Sequence, residues 1–378
     1  MITEFYMPLK VIIGEGSINR LGEEAKAIGN RALIVTYPDI RKVGMLDKII
    51  AELNKNGVAT LIFEEVEPNP RSTTIDKGAE IARKEKVDLV IGLGGGSAMD
   101  SAKGIATAST GIAPIWDYVM RKAQVSAPAP AIIQIPTLAG TGSELNQVAV
   151  ITNWQTHDKN VFFSPAALAR VSIVDPALTI SVPRRQTASG GADTFSHLVE
   201  YYLMPDFRLP LNDAFREAVM RTVVEFLPKA LVKPDDIEAR TQLSWASTIA
   251  MSNLARLGGT VGSMTCHNIE HAVSAYYDIT HGEGLAALLP AWMRHIEPVR
   301  KQRLDMLGKN VFGKSDGIKA TEEWFKEVGV NFKLTDLGCE KERADEIAEI
   351  TLRSEAMLAA HPRPLDKAAV AQIYRDSC

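Results

Sequence analysis

The stretch Val87-Asp88-Leu89-Val90-Ile91-Gly92-Leu93-Gly94-Gly95-Gly96-Ser97-Ala98-Met99-Asp100-Ser101-Ala102-Lys103 runs from an apolar segment through three consecutive glycines into residues with helical spacing. An apolar run that does not alternate with polar residues is a strand buried on both faces, and such strands belong to parallel sheets covered by helices. The bare backbone at the turn lets main-chain N–H groups approach a pyrophosphate, and the start of the following helix favours its negative charge. As a G-x-G-x-x-G pattern it is imperfect, because Ser97 stands at the third glycine, and the G-K-[ST] ending of an ATP-type loop is missing. A glycine-rich turn without a ligand is the alternative for these residues alone. Asp117 follows 20 residues after Ser97, where a ribose-binding acid is sought, but no strand precedes it and it is set aside.

Outward from this stretch the same cycle repeats. Strands are expected at Arg31–Thr36, Ala59–Phe63 and Ala131–Ile135, with helices at Gly44–Asn56 and Ser72–Lys86. A second loop, Pro136-Thr137-Leu138-Ala139-Gly140-Thr141-Gly142-Ser143-Glu144, again follows a strand, and its hydroxyls suit ribose or phosphate oxygens. From about Pro183 the pattern turns helical, with segments at Leu211–Leu227, Asp235–Leu257, Cys266–Tyr277, Leu285–Val299 and Asp345–Ala359. The expected organisation is an α/β dinucleotide-binding domain over residues 1–183 and an all-α domain over 184–378, with metal and substrate in the second.

Composition narrows the function. The chain has 378 residues, and Lys+Arg 42 against Asp+Glu 46 gives a net charge of −4, which argues against a nucleic-acid or membrane-surface partner. Three cysteines without a CxxC pair exclude a disulfide framework and a thiolate zinc cluster. Met1–Pro8 lacks the basic-then-apolar order of a signal peptide, and no apolar run reaches the roughly 20 residues that span a bilayer, so a cytoplasmic enzyme is expected. The strand-like Lys10–Ile13 suggests pairing across a homodimer or higher homo-oligomer.

Histidine placement supplies the chemistry. Asp193 and His197 stand at i and i+4, as do His267 and His271, and His281 follows ten residues later. A carboxylate with imidazoles from separate segments suits a divalent ion such as Fe²⁺ or Zn²⁺ with a position open for a substrate oxygen. Buried or surface histidines with backbone partners are the alternative for any one of them. Glu200 shares the face of Asp193 and His197, and Glu270 precedes His271; both read as supports for neighbouring imidazoles or as solvated acids. A metal and a nicotinamide nucleotide together point to alcohol–aldehyde interconversion, with one histidine not bound to the metal carrying the proton.

These residues resemble the iron-containing (group III) alcohol dehydrogenases. The likeness runs from Gly14-Glu15-Gly16 through Pro68-Asn69-Pro70 and Gly94–Asp100 to Pro362-Arg363-Pro364-Leu365, and Thr280-His281-Gly282 is most similar to the butanol-dehydrogenase-like branch. The resemblance implies the fold shared with dehydroquinate synthase. It also implies NAD or NADP as coenzyme, and Fe²⁺ as the metal, with Zn²⁺ or Mn²⁺ acceptable to the same donors. By position, Asp193, His197, His267 and His281 match the metal ligands and His271 the proton-transfer histidine. Gly94, Gly95, Gly96, Ser97 and Asp100 match the pyrophosphate loop and its helix; Thr137, Leu138, Thr141, Asn69 and Lys159 match other coenzyme contacts. Tyr37 stands where NAD-preferring relatives carry an acid, Asp39 follows two residues later, and Arg41 and Lys42 are close, which leaves NAD against NADP open.

The expected substrate is a small alcohol or aldehyde. A phosphorylated or phosphonate-bearing alcohol is the runner-up, with Arg184, Arg185 and Arg256 as candidates to grip it, and a dehydroquinate synthase-like lyase ranks below for want of clustered cations. Gly258–Gly262, Asn146 and Cys266 are candidate pocket residues for an uncharged substrate.

Overall fold

The computed structural model describes residues 6–125, 128–205, 209–256, 264–353, 358 and 361–378. Six strands, β1 (Lys10–Ile13), β2 (Arg31–Val35), β3 (Ala59–Phe63), β4 (Leu89–Gly94), β5 (Ala131–Pro136) and β8 (Val171–Val174), form one parallel sheet in the order β1-β8-β5-β4-β2-β3. Around it lie α1 (Leu21–Lys26), α2 (Met45–Lys55), α3 (Ser72–Lys84), α4 (Gly96–Ala108) and α5 (Ile115–Val119). Successive side chains of a strand point to opposite faces, and the sheet has an apolar core on each. Ala32, Ile34, Leu89, Ile91 and Leu93 pack with α1 and α2, whereas Leu33, Val35 and Val90 pack with α3 and α4. Strands buried on both sides must be apolar throughout, which is why β4 shows no alternation. Lys10–Ile13 forms the edge strand β1, paired with β8 on one side.

A separate antiparallel hairpin, β6 (Val148–Asn153) and β7 (Asp158–Phe163), was not anticipated from the sequence. Its turn puts His157 at φ 54, a position where glycine is the usual marker.

The remaining helices are α6 (Arg184–Leu203), α7 (Pro210–Val232), α8 (Ile237–Ala250), α9 (Asn253–Arg256), α10 (Thr265–Tyr277), α11 (His281–Leu307), α12 (Gly317–Val328), α13 (Ala344–Leu352) and α14 (Lys367–Asp376). The chain separates into two compact units. One comprises 7–182 with 235–248; the other comprises 1–6, 183–234 and 249–378. This differs from the contiguous division at residue 183, because most of α8 goes with the sheet. Two hydrogen bonds join it to the sheet unit: Gly140 N donates to Ser247 Oγ, and Thr248 Oγ1 donates to Glu144. No helix among the described residues is long and apolar enough to cross a membrane.

Candidate active site

In the helical unit, α6 is buried from Thr187 to Leu203, and Asp193 and His197 lie one turn apart on it. Helix α10 carries His267 and His271, and α11 begins at His281. Two glycines of α6 and α11 let α7 and α11 approach α6 closely. A Cβ on Gly191 would lie 2.4 Å from Leu227, and one on Gly282 would lie 2.3 Å from the Ser189 carbonyl oxygen.

The result is a convergence on one oxygen. His197 Nε2, His267 Nε2 and His281 Nε2 stand 3.4, 3.7 and 3.8 Å from Asp193 Oδ1. Donors bonded to one tetrahedral ion at about 2.1 Å are about 3.4 Å from each other, so these separations match the edges of a coordination polyhedron. Asp193 Oδ1 and His267 Nε2 are buried and have no hydrogen-bond partner among the described residues, which fits donors reserved for a cation. His271 lies beside the cluster, its ring 6.4 Å from that of His267 and 5.4 Å from that of His281. Asp193, His197 and His267 form one group with metal-ligand spacing, and His271 groups instead with Glu270 and His281.

Two buried carboxylates orient the rings. Glu200 contacts His267 Nδ1 and accepts from the backbone N–H groups of Cys266 and His267, and Glu270 contacts His281 Nδ1. Each leaves the Nε2 of its imidazole facing Asp193, an arrangement that fixes the tautomer and raises donor basicity. Burial would raise the Asp193 carboxyl, but the imidazoles of His197, His267 and His281 outweigh it and hold it well below its ordinary value. Burial pulls His197 down to about 3, whereas at His267 the carboxylates of Glu200 and Asp193 overcome burial and lift the ring to about 9. The carboxylates therefore favour positive charge at His267, while His197 is held neutral.

In the sheet unit, Gly94, Gly95, Gly96 and Ser97 turn the chain from β4 into α4. Gly94 has φ 150, and a Cβ there would meet Ala98 at 2.7 Å. Gly95, Gly96 and Ser97 are half-buried at the open helix N-terminus. The second loop packs against this turn: a Cβ on Gly96 would lie 2.5 Å from Thr141 and one on Gly95 3.7 Å from Leu138, and Thr137 N donates to Gly94 O. The two loops thus form one surface of backbone amides and hydroxyls at a helix N-terminus, suited to a phosphate ester.

Beneath it lies a buried ionic network that spacing did not reveal. Lys103 Nζ is within hydrogen-bond distance of Ser143 O and Oγ, Asn146 Oδ1 and Val148 O. Asp100 is also part of it, since its oxygens accept from Ser143 Oγ at 2.6 Å and Val150 N at 2.8 Å. Its carboxylate is therefore committed to holding the loops together. Asn146 likewise supports the loop, donating to Gly142 O.

Tyr37 lies against Gly94, with its Cδ1 3.4 Å from where a Cβ would sit. Asp39 pairs with Lys42 at 2.8 Å, and Arg41 with Glu64 at 2.7 Å. Asn69, at φ 52, accepts from the buried Lys159 Nζ. Arg184 donates to Leu231 O and Arg185 forms a bidentate pair with Glu283, so both are committed within the helical unit. Cys266 is buried, with its thiol pushed up by burial. Gly258–Gly262 lies outside the described residues.

The family model described as "Iron-containing alcohol dehydrogenase" matches residues 8–176, and "Fe-containing alcohol dehydrogenase family, C-terminal" matches 187–378. NADH-dependent butanol dehydrogenase A of Clostridium acetobutylicum is 38% identical over 386 residues, covering 99% of both chains. The 1,3-propanediol dehydrogenase of Citrobacter freundii is 31% identical over 99% of this chain and 98% of its own. The crystal structure of NADH-dependent butanol dehydrogenase A from Thermotoga maritima superimposes with a TM-score of 0.94 at 34% identity, covering 100% of this chain and 98% of that one. Matches of this extent, across the glycine turn and the histidine cluster alike, establish that the chain belongs to the iron-containing alcohol dehydrogenases.

Proposed function

We propose that the protein interconverts small alcohols and aldehydes with NAD(H), using a divalent ion, Fe²⁺ by family, held by Asp193, His197, His267 and His281. The observation that carries this reading is the convergence of three imidazole nitrogens within 3.4–3.8 Å of Asp193 Oδ1. When bound, the ion supplies Lewis-acid polarisation of a substrate oxygen and the nicotinamide supplies or accepts hydride.

The protein's own groups do the rest. Glu200 and Glu270 hold His267 and His281 with Nε2 directed at Asp193. His271, its ring 6.4 Å from that of His267 and 5.4 Å from that of His281, takes or gives a proton at its ring nitrogen in this reading. Thr137, Leu138 and Thr141 cover the glycine turn at Gly94–Ser97 and orient the pyrophosphate, with Asn69 and Lys159 as further coenzyme contacts. Tyr37 and Asp39 lie on the ribose side in this reading. NAD is preferred over NADP because Arg41 and Lys42 are already paired with Glu64 and Asp39, so that a 2′-phosphate would have to compete with these acids for them. The butanol dehydrogenase relatives named as NADH-dependent point the same way. A phosphorylated substrate is disfavoured by the commitment of Arg184 and Arg185 to Leu231 and Glu283.

Anaerobic protein loaded with Fe²⁺ and offered butyraldehyde should oxidise NADH faster than NADPH, read as loss of nicotinamide absorbance. Silence with both coenzymes refutes the substrate class, and faster NADPH oxidation refutes the assignment at Arg41 and Lys42.

A further inference from the structure

Helix α8 is an anomaly. It lies in sequence between two segments of the helical unit, yet residues 235–248 belong to the sheet unit. Two of its hydroxyl side chains reach the loop Thr137–Glu144. Ser247, 2% exposed, accepts from Gly140 N at 2.7 Å, and Thr248, fully buried, donates to Glu144 Oε1 at 2.6 Å. From the sheet side, Ser172 Oγ donates to Glu144 O at 2.6 Å and Lys103 Nζ to Ser143 O at 2.6 Å. The loop is therefore fixed near its middle and at its end, from one side by the sheet and from the other by α8.

What this fixing controls is the residue between the two anchors. Thr141 packs over Gly96 so closely that a Cβ there would lie 2.5 Å from it. A shift of the loop by a fraction of an ångström is transmitted directly to the glycine turn at the start of α4. Burial raises the Glu144 carboxyl, and the Thr248 hydroxyl is the side-chain donor that offsets the cost of keeping it there.

We infer that Ser247 and Thr248 are positioning residues for coenzyme binding: they hold the Thr137–Glu144 loop in the form that completes the dinucleotide surface, without touching the coenzyme. This rests on the proposed coenzyme role of the two loops. It also gives the chain a covalent tie between that surface and the metal-site helix, because directly after Thr248 the chain re-enters the helical unit, which carries His267 on α10.

NADH affinity is measured by fluorescence titration on the Co²⁺-loaded protein for the wild type, Ser247→Ala, Thr248→Val and Thr248→Ser, with Glu238→Gln on the exposed side of α8 as control. Loss of either hydroxyl is expected to raise the NADH Kd about tenfold, the order set by removing one hydrogen-bonding partner of a buried group. Thr248→Ser should restore it. The value of kcat at saturating coenzyme and the Co²⁺ content should stay within twofold of the wild type, and Glu238→Gln should match the wild type throughout. Unchanged NADH affinity in both Ser247→Ala and Thr248→Val overturns the inference. So does a parallel loss of Co²⁺ or of saturated kcat, which would mark α8 as general scaffolding. If Ser247→Ala does not fold, the contrast between Thr248→Val and Thr248→Ser decides alone. Failure of the wild type itself to bind NADH or NADPH instead overturns the dinucleotide reading.

Discussion

Replacing Gly282 with alanine tests how finely the metal cluster is set by helix approach. The added Cβ would stand 2.3 Å from Ser189 O and 2.8 Å from Ser189 C, both backbone atoms of α6, one turn ahead of Asp193. Ordinary contact begins near 3.4 Å, so one helix must retreat by about 1.1 Å. That is more than a quarter of the 3.8 Å between His281 Nε2 and Asp193 Oδ1. Bonds of about 2.1 Å from both groups to one ion cannot survive such a movement unchanged. Overpacking of this kind costs about 1–3 kcal/mol, and the better helix propensity of alanine returns at most about 1 kcal/mol. The metal affinity is thus a sharper readout than stability. Displacing ligands through their supports lowers affinity on the order of 10–100-fold. Competition titration of Co²⁺ against a chelator, with a thermal melt of the metal-free protein, measures both. If Gly282→Ala binds Co²⁺ within twofold of wild type, the idea that the α6–α11 approach sets the cluster is refuted.

Two further outcomes follow from other parts of the structure. His267→Ala should lose bound Co²⁺ and nearly all activity, whereas His271→Ala should retain Co²⁺ and lower kcat on the order of 10²-fold; equal metal loss in both would make His271 a ligand. Lys103 should give the protein a rising stability between about pH 8 and pH 10.5. Burial brings its amine down from 10.5 to about 8 in the folded chain, so in that window the unfolded chain binds the extra proton and raising the pH favours folding. The urea midpoint of the wild type relative to that of Lys103→Met should therefore rise from pH 7.5 to pH 9.5, and a constant difference would show that the amine keeps its ordinary basicity.

The sheet could be read directly because burial on both faces leaves a plain mark: β4 is apolar at every position that is not glycine. The i, i+4 spacing of Asp193 and His197 likewise survives folding, since a helix keeps that geometry whatever surrounds it. Other features depend on what packs against what. Spacing alone could not rank His271 against His281, because the choice turns on where α11 begins and how closely Gly282 lets it approach α6. Asp100 occupies the expected helix, yet its oxygens face Ser143 and Val150, and a motif does not distinguish a residue that touches a ligand from one that builds the wall behind it. The β6–β7 hairpin was hidden because its turn places a histidine, not a glycine, in the left-handed region. Helix α8 has the periodicity of its neighbours, and periodicity identifies a buried face without naming its partner.

The division of α8 from the segments on either side of it also sets an order of assembly during synthesis. The last sheet strand, β8, ends at Val174, but Ser247 and Thr248 are made only after α6 and α7 have been completed. Until then a nascent chain holds Glu144 beside its strand without the Thr248 hydroxyl, and Gly140 without the Ser247 oxygen. The sheet half therefore cannot finish as an independent N-terminal domain on the ribosome, as contiguous domains generally do. Its loop matures late, when the chain threads back from the helical half to close it.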